Sequence, residues 1–193
     1  MKRALIIGLV GGLIFLTAPS FLSSYYLGLV TKMLIFALFA MSLDLLLGYT
    51  GLPSLGHAAY FGLGAYTVAL LALKVAVKNL WIGSLASLAS VLVLALGFVP
   101  LTLRARGDYF LMITLALSQV VWGVAFGWRS MTGGDDGLVG IPRAPLEIPG
   151  LLSIDVSAMG HYYYVVLVLS LLAIAAMYRL VHSPLGLTLQ AIR

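Results

Sequence analysis

NLWIGSLASLASVLVLALGFVPLTL, residues 79–103, contains no charged side chain over its whole length. As an α-helix it would rise about 37 Å, more than the ~30 Å hydrocarbon core of a bilayer. Four further intervals lack Asp, Glu, Lys and Arg: residues 4–31, 45–73 (with His57 inside), 109–128 and 156–178 (with His161 inside). The composition agrees, with 62% hydrophobic residues, 9% charged and a mean hydropathy of +1.12. Soluble domains carry about 25% charged residues, and no water-facing surface can be built from so few. The chain reads as an all-α, polytopic transmembrane bundle whose solvent is the lipid bilayer.

Several chemistries fall away. With no cysteine among 193 residues, disulfide frameworks, thiolate zinc sites, iron–sulfur clusters and cysteine nucleophiles are excluded. His57, His161 and His182 show no metal-ligand spacing, so neither a metal nor any cofactor is expected. Ser54 and His57 are three residues apart, but no orienting group or oxyanion hole can be named, so no catalytic residue is assigned. No Gly-Lys pair occurs, and a phosphate-binding loop is therefore absent. The net charge of +5 is divided among short loops, where it reads as a topology signal and not as a nucleic-acid surface.

Six spans are expected. The first follows Lys2 and Arg3 and is read as an uncleaved helix despite its likeness to a signal peptide. The others cover about residues 29–48, 58–73, 80–103, 109–128 and 162–179. A cytoplasmic amino terminus would put Lys2, Arg3, Arg104, Arg106, Arg179 and Arg193 inside, and Lys32, Lys74, Lys78, Arg129 and Arg143 outside. The compact Arg104–Arg106 turn is where the positive-inside rule is strongest. Trp81, Trp122, Trp128 and Tyr162–Tyr164 lie near span ends, as interfacial aromatic belts do. Residues 1–193 are expected to form one transmembrane domain, with a polar loop at 129–160 facing outward and residues 180–193 facing the cytoplasm. Repeated prolines and glycines predict an ordered, turn-rich loop without another helix, suited to docking a soluble protein.

Residues 48–57, GYTGLPSLGH, interrupt an apolar stretch with glycines, a proline and hydroxyls. Such a break in lipid is tolerated where it is buried in protein or lines an aqueous cavity, and transporters place it at substrate sites. Asp44, Gly48, Thr50, Gly51, Ser54, Gly56 and His57 are the candidates for a translocation path. A simple interfacial turn between two spans is the competing reading, and Asp44 could equally sit at the headgroups. Gly8/Gly12 and Gly123/Gly127 follow G-x-x-x-G spacing, whose default meaning is helix packing.

Three blocks resemble the permease subunits of branched-chain amino acid ABC importers, of LivM type: SLDLLLGYTGLPSLGHAAYFGLGAY (residues 42–66), LRARGDYF (103–110) leading to TLA (114–116), and WRSMTGGDDGLVGIPR (128–143). A fourth, SPLGLTLQAIR (183–193), resembles the start of the family's ATPase-coupling loop. The resemblance implies a second permease subunit, two cytoplasmic ATPase subunits and an extracytoplasmic solute-binding protein in a prokaryotic inner membrane. It implies import of branched-chain or related amino acids and amides by alternating access. Thr132, Gly133, Gly134, Asp135, Asp136 and Gly137 would then face the binding protein. Ser183, Pro184, Gly186 and Arg193 would approach the ATPase. Similar permeases continue past this motif with the rest of an E-A-A-type loop and further helices, so the resemblance implies a sequence cut short at Arg193. The alternative from another class is a self-contained channel or ion-coupled transporter using Asp44 and His57.

Overall fold

The computed structural model describes residues 15–77, 79–105, 107–142, 146–148, 152–154 and 158–192. Helix α1 covers residues 15–21. Then come α2 (Ser24–Asp44), continued by a π-helical turn at Leu45–Tyr49, α3 (His57–Lys74), α4 (Leu80–Thr102), α5 (Asp108–Gly127) and α6 (Arg129–Thr132). Strands β1 (Leu146–Ile148) and β2 (Leu152–Ile154) pair antiparallel with Glu147 opposite Ser153. Helices α7 (Met159–Val181) and α8 (Pro184–Ile192) complete the order. Lys2, Arg3, the first apolar run up to residue 14 with Gly8 and Gly12, Lys78, Arg106, Arg143, Pro145, Pro149, Asp155 and Arg193 lie outside the described residues.

The polytopic helical fold is as expected, but the span count is not. Four stretches among the described residues are long and apolar enough to cross a membrane: Ser24–Tyr49, Leu80–Thr102, Asp108–Gly127 and Met159–Val181. Helix α3 has only 18 residues, and His57 and Lys74 at its two ends dilute its apolar character. The expected first span lies mostly outside the described residues. The 129–160 loop also departs from expectation, since it contains the single-turn helix α6 and a small hairpin.

Local chemistry sets the boundaries. Asn79 caps α4, its side-chain oxygen accepting from the backbone N–H of Trp81 at 2.9 Å and of Ile82 at 3.4 Å. Asp108 opens α5 in the first turn, where a carboxylate complements the helix dipole. The chain divides into two compact units, Met1–Met41 with Asp155–Leu187, and Ser42–Ile154 with Thr188–Arg193.

In the first unit Ala18, Leu27, Tyr163 and Leu167 form a core, flanked by Leu22, Val30, Leu34 and Met159. Pro19 lies in α1 and has no N–H to give the carbonyl four residues back, that of Phe15. The Tyr163 hydroxyl donates to that carbonyl at 2.6 Å, and Tyr164 donates to the next one, Leu16, at 3.1 Å. The Tyr163 side chain thus satisfies backbone that a proline has stripped of its helical partner, as a membrane interior requires.

In the second unit α3 packs closely on α4 through small residues. A Cβ on Gly64 would lie 2.9 Å from Ser87 Oγ, and one on Gly83 would lie 3.6 Å from Val68. Thr67 Oγ1 and Ser90 Oγ share a hydrogen bond at 2.8 Å across the pair. In lipid, where burial of apolar surface drives little association, close van der Waals approach and such bonds hold helices together. The outward side of α4 stays apolar, with Leu88 and Val93 each 70% exposed, a face that suits lipid or another hydrophobic subunit.

Candidate functional site

The break falls where the glycines predict it, between α2 and α3. The α-helix ends at Asp44, widens through Leu45–Tyr49, and is closed by the Leu52 N–H donating to the Leu46 carbonyl at 3.2 Å. Thr50 is buried, and its hydroxyl donates to the same Leu46 carbonyl at 2.5 Å. Gly51 has φ +69°, and from there to residue 56 the chain is irregular. The Ser54 hydroxyl accepts the Gly56 N–H at 3.3 Å, which places Ser54 before the helix rather than on one helical face with His57.

Helix α5 holds this irregular backbone. The Leu55 N–H donates to Thr114 Oγ1 at 3.2 Å, and Gly56 is buried against Thr114. A Cβ on Gly56 would lie 3.1 Å from the Thr114 carbonyl oxygen and 3.3 Å from its Cβ. Here glycine is required by a close approach of backbone to backbone, so a larger residue would separate α5 from the break. His57 opens α3 with Nε2 2.7 Å from Ser42 Oγ, joining the two sides of the interruption. Asp44 is exposed, and its Oδ1 is 2.8 Å from where a Cβ on Gly48 would sit. Gly48 thereby leaves room for the carboxylate alongside the helix.

The 132–137 segment forms a tight turn at the end of α5 and α6. Thr132 is buried, its hydroxyl donating to the carbonyls of Ala125 at 2.5 Å and Trp128 at 2.9 Å while accepting the Gly134 N–H at 3.3 Å. Gly133 has φ +79°, and a Cβ there would collide with the Gly137 carbonyl. Gly134 and Gly137 also have positive φ. Asp135 and Asp136 are exposed at the tip. The turn is thus an ordered platform presenting two carboxylates.

In the tail, Ser183 donates through its hydroxyl to the Leu180 carbonyl at 2.6 Å, and Pro184 begins α8. Pro at the first helical position removes no intrahelical bond. Gly186 is buried, and a Cβ on it would overlap the Val181 carbonyl, so the bend between α7 and α8 is tight. Gly123 and Gly127 have nothing within 4 Å of a built Cβ, so the helix contact expected of them is not made within the described residues.

Two residues with structural leverage on these sites escaped assignment from sequence. Thr114 fastens the break, yet a threonine inside a 20-residue apolar helix gives no distinguishing signal. Lys74 Nζ donates to the Ser130 carbonyl at 2.8 Å, and by sequence it was only one more loop charge.

The long apolar helices and the discontinuity lodged between them define a multi-pass α-helical membrane protein with a broken helix. Its sequence carries the comparison further. The chain belongs to the family described as branched-chain amino acid transport system / permease component, which matches residues 25–193. It is 27% identical over 200 residues to the high-affinity branched-chain amino acid transport system permease protein LivM of Escherichia coli (strain K12), covering 91% of this chain and 45% of the relative. It is also 27% identical over 205 residues to the protein of the same description from Salmonella typhimurium (strain LT2), with the same coverage of 91% and 45%. The chain thus spans less than half the length of these relatives. No solved structure matches.

Proposed function

We propose that the chain acts in the membrane permease of an ATP-driven importer for branched-chain amino acids or related small amino acids and amides. The hydrolysis of ATP belongs to two separate cytoplasmic subunits, and a second permease subunit completes the path. An extracytoplasmic solute-binding protein delivers cargo to the 132–137 turn. In this reading the chain sits in a prokaryotic inner membrane with its amino terminus cytoplasmic, residues 129–160 outside and residues 180–193 on the ATPase side. Alternating access then needs an element with two arrangements, one favoured by the closed ATPases.

The observation that carries this reading is the irregular backbone at 48–57, fastened to α5 at Thr114 in a chain of a permease family. Its backbone polar groups and the side chains of Ser54, His57 and Asp44 are what an otherwise apolar bundle can offer a zwitterion. Apolar side-chain cargo would suit the leucines beside them. The test is uptake of radiolabelled leucine by the assembled transporter containing the full-length protein. Gly56→Leu should lower uptake by about tenfold or more, as overpacking at 3.1 Å from a backbone carbonyl costs on the order of 1–3 kcal/mol. Gly62→Leu on α3 meets nothing within 4 Å at its Cβ and should leave uptake near normal. Normal uptake with Gly56→Leu would remove the break from the path.

A further inference from the structure

Lys74 closes α3 and reaches a different element. Its Nζ bonds the Ser130 carbonyl at 2.8 Å and lies 3.1 Å from Met131 Sδ. Ser130 belongs to α6, four residues long, whose carbonyls have few donors of their own. The Gly133 N–H takes the Arg129 carbonyl at 3.1 Å, and Lys74 takes the next one. A cation there also complements the C-terminal end of the helix dipole. Snorkelling alone would ask only for water or headgroups around the ammonium, whereas this one is directed at a carbonyl 56 residues away in the chain.

The other end of α3 carries the break. His57, its first residue, is bonded to Ser42, and Gly56 just before it rests on Thr114. One 18-residue helix, about 27 Å long, therefore has the glycine interruption at its start and the clamp on α6 at its finish. Helix α5 runs parallel to this connection in function, with Thr114 against the break and the Ala125 carbonyl holding Thr132. Rigid helices are among the elements that can carry coupling between sites. Helix α5 touches the break and the turn, and α3 touches the break and α6, which leads directly into the turn.

The geometry points to Lys74 as a positioning residue that ties the 132–137 turn to α3, so that a soluble protein seated on the turn moves the helix carrying the 48–57 break. This rests on the reading of that turn as the docking surface for the solute-binding protein.

A single reporter thiol is placed at Leu55, which is 50% exposed within the break, after any cysteine elsewhere in the full-length protein and its partner subunits is replaced by serine. The full-length transporter bearing L55C, in membrane vesicles, is labelled with a maleimide with and without saturating binding protein, and the binding protein's Kd is measured alongside. Docking should change the labelling rate by about fivefold or more. K74M, which keeps the stem and loses the donors, should abolish that change while Kd stays within about threefold, and K74R should restore it. Retention of the full change in K74M, or its loss in step with a weakened Kd, overturns the link. D135K/D136K with unchanged Kd sinks the docking reading by itself. The link is then judged without any partner: K74M must shift labelling at Leu55 by about fivefold, and an unchanged rate overturns it.

Discussion

Replacing Tyr163 with Phe keeps the buried ring and removes one hydroxyl, which makes it a clean probe of the first unit. Tyr163 is 0% exposed, and its hydroxyl is 2.6 Å from the Phe15 carbonyl that Pro19 leaves without a helical donor. Side-chain hydrogen bonds in membrane proteins average about 0.6 kcal/mol and reach about 1.7. A carbonyl deprived of its amide four residues on belongs near the upper end, so Y163F should cost about 1.5 kcal/mol, roughly tenfold in the folding equilibrium. P19A returns an N–H to α1, and in that background Y163F should cost only about 0.5 kcal/mol. The coupling between the two positions is then about 1 kcal/mol, measurable by reversible unfolding of the four variants in detergent or bilayers. Equal costs of Y163F in both backgrounds would refute the substitution of a phenol for the missing amide.

Thr114→Val preserves shape and removes the acceptor of the Leu55 N–H, so it should destabilise the protein by about 1 kcal/mol and slow uptake; unchanged unfolding and transport would show that α5 does not fasten the break. Gly133→Ala forces a side chain onto φ +79° and into the Gly137 carbonyl, with a strain of about 1–3 kcal/mol, and should weaken binding-protein affinity. Gly137→Ala, at φ +67° with open space around a Cβ, should be milder. Equal affinity for both variants, measured by titration, would remove the turn's conformation from docking.

Reading charge-free intervals located α3, α4 and α5 to within a residue or two, because in lipid the apolar run and the helix have nearly the same limits. It began the second span at about residue 29, whereas α2 starts at Ser24: Tyr25 and Tyr26 are helical though amphipathic, and composition marks the edge of the membrane better than the edge of a helix. The break was legible because Gly48, Gly51, Pro53 and Gly56 crowd into ten residues, whereas an isolated breaker such as Pro100 is carried inside α4. What fastens it was not, since Thr114 is 59 residues from Leu55 and a hydroxyl can satisfy itself locally, as Thr31 does on the Leu27 carbonyl at 2.7 Å. His57 stands out in the sequence as a histidine within an apolar interval, but its pairing with Ser42 depends on how the interruption folds back. The Lys74 and Tyr163 bonds were hidden for the same reason, as each joins side chain to carbonyl across a separation that spacing along the chain does not encode.

The widened turn at Leu45–Tyr49 has a mechanical corollary. A π-helical loop stores about one residue more than α-geometry uses for the same turn, and each residue of an α-helix rotates by about 100°. Tightening the coil there would release that slack and rotate the residues that directly follow by about 100°. Gly48 and Thr50 would swing to a new azimuth, turning a defect in winding into a swivel.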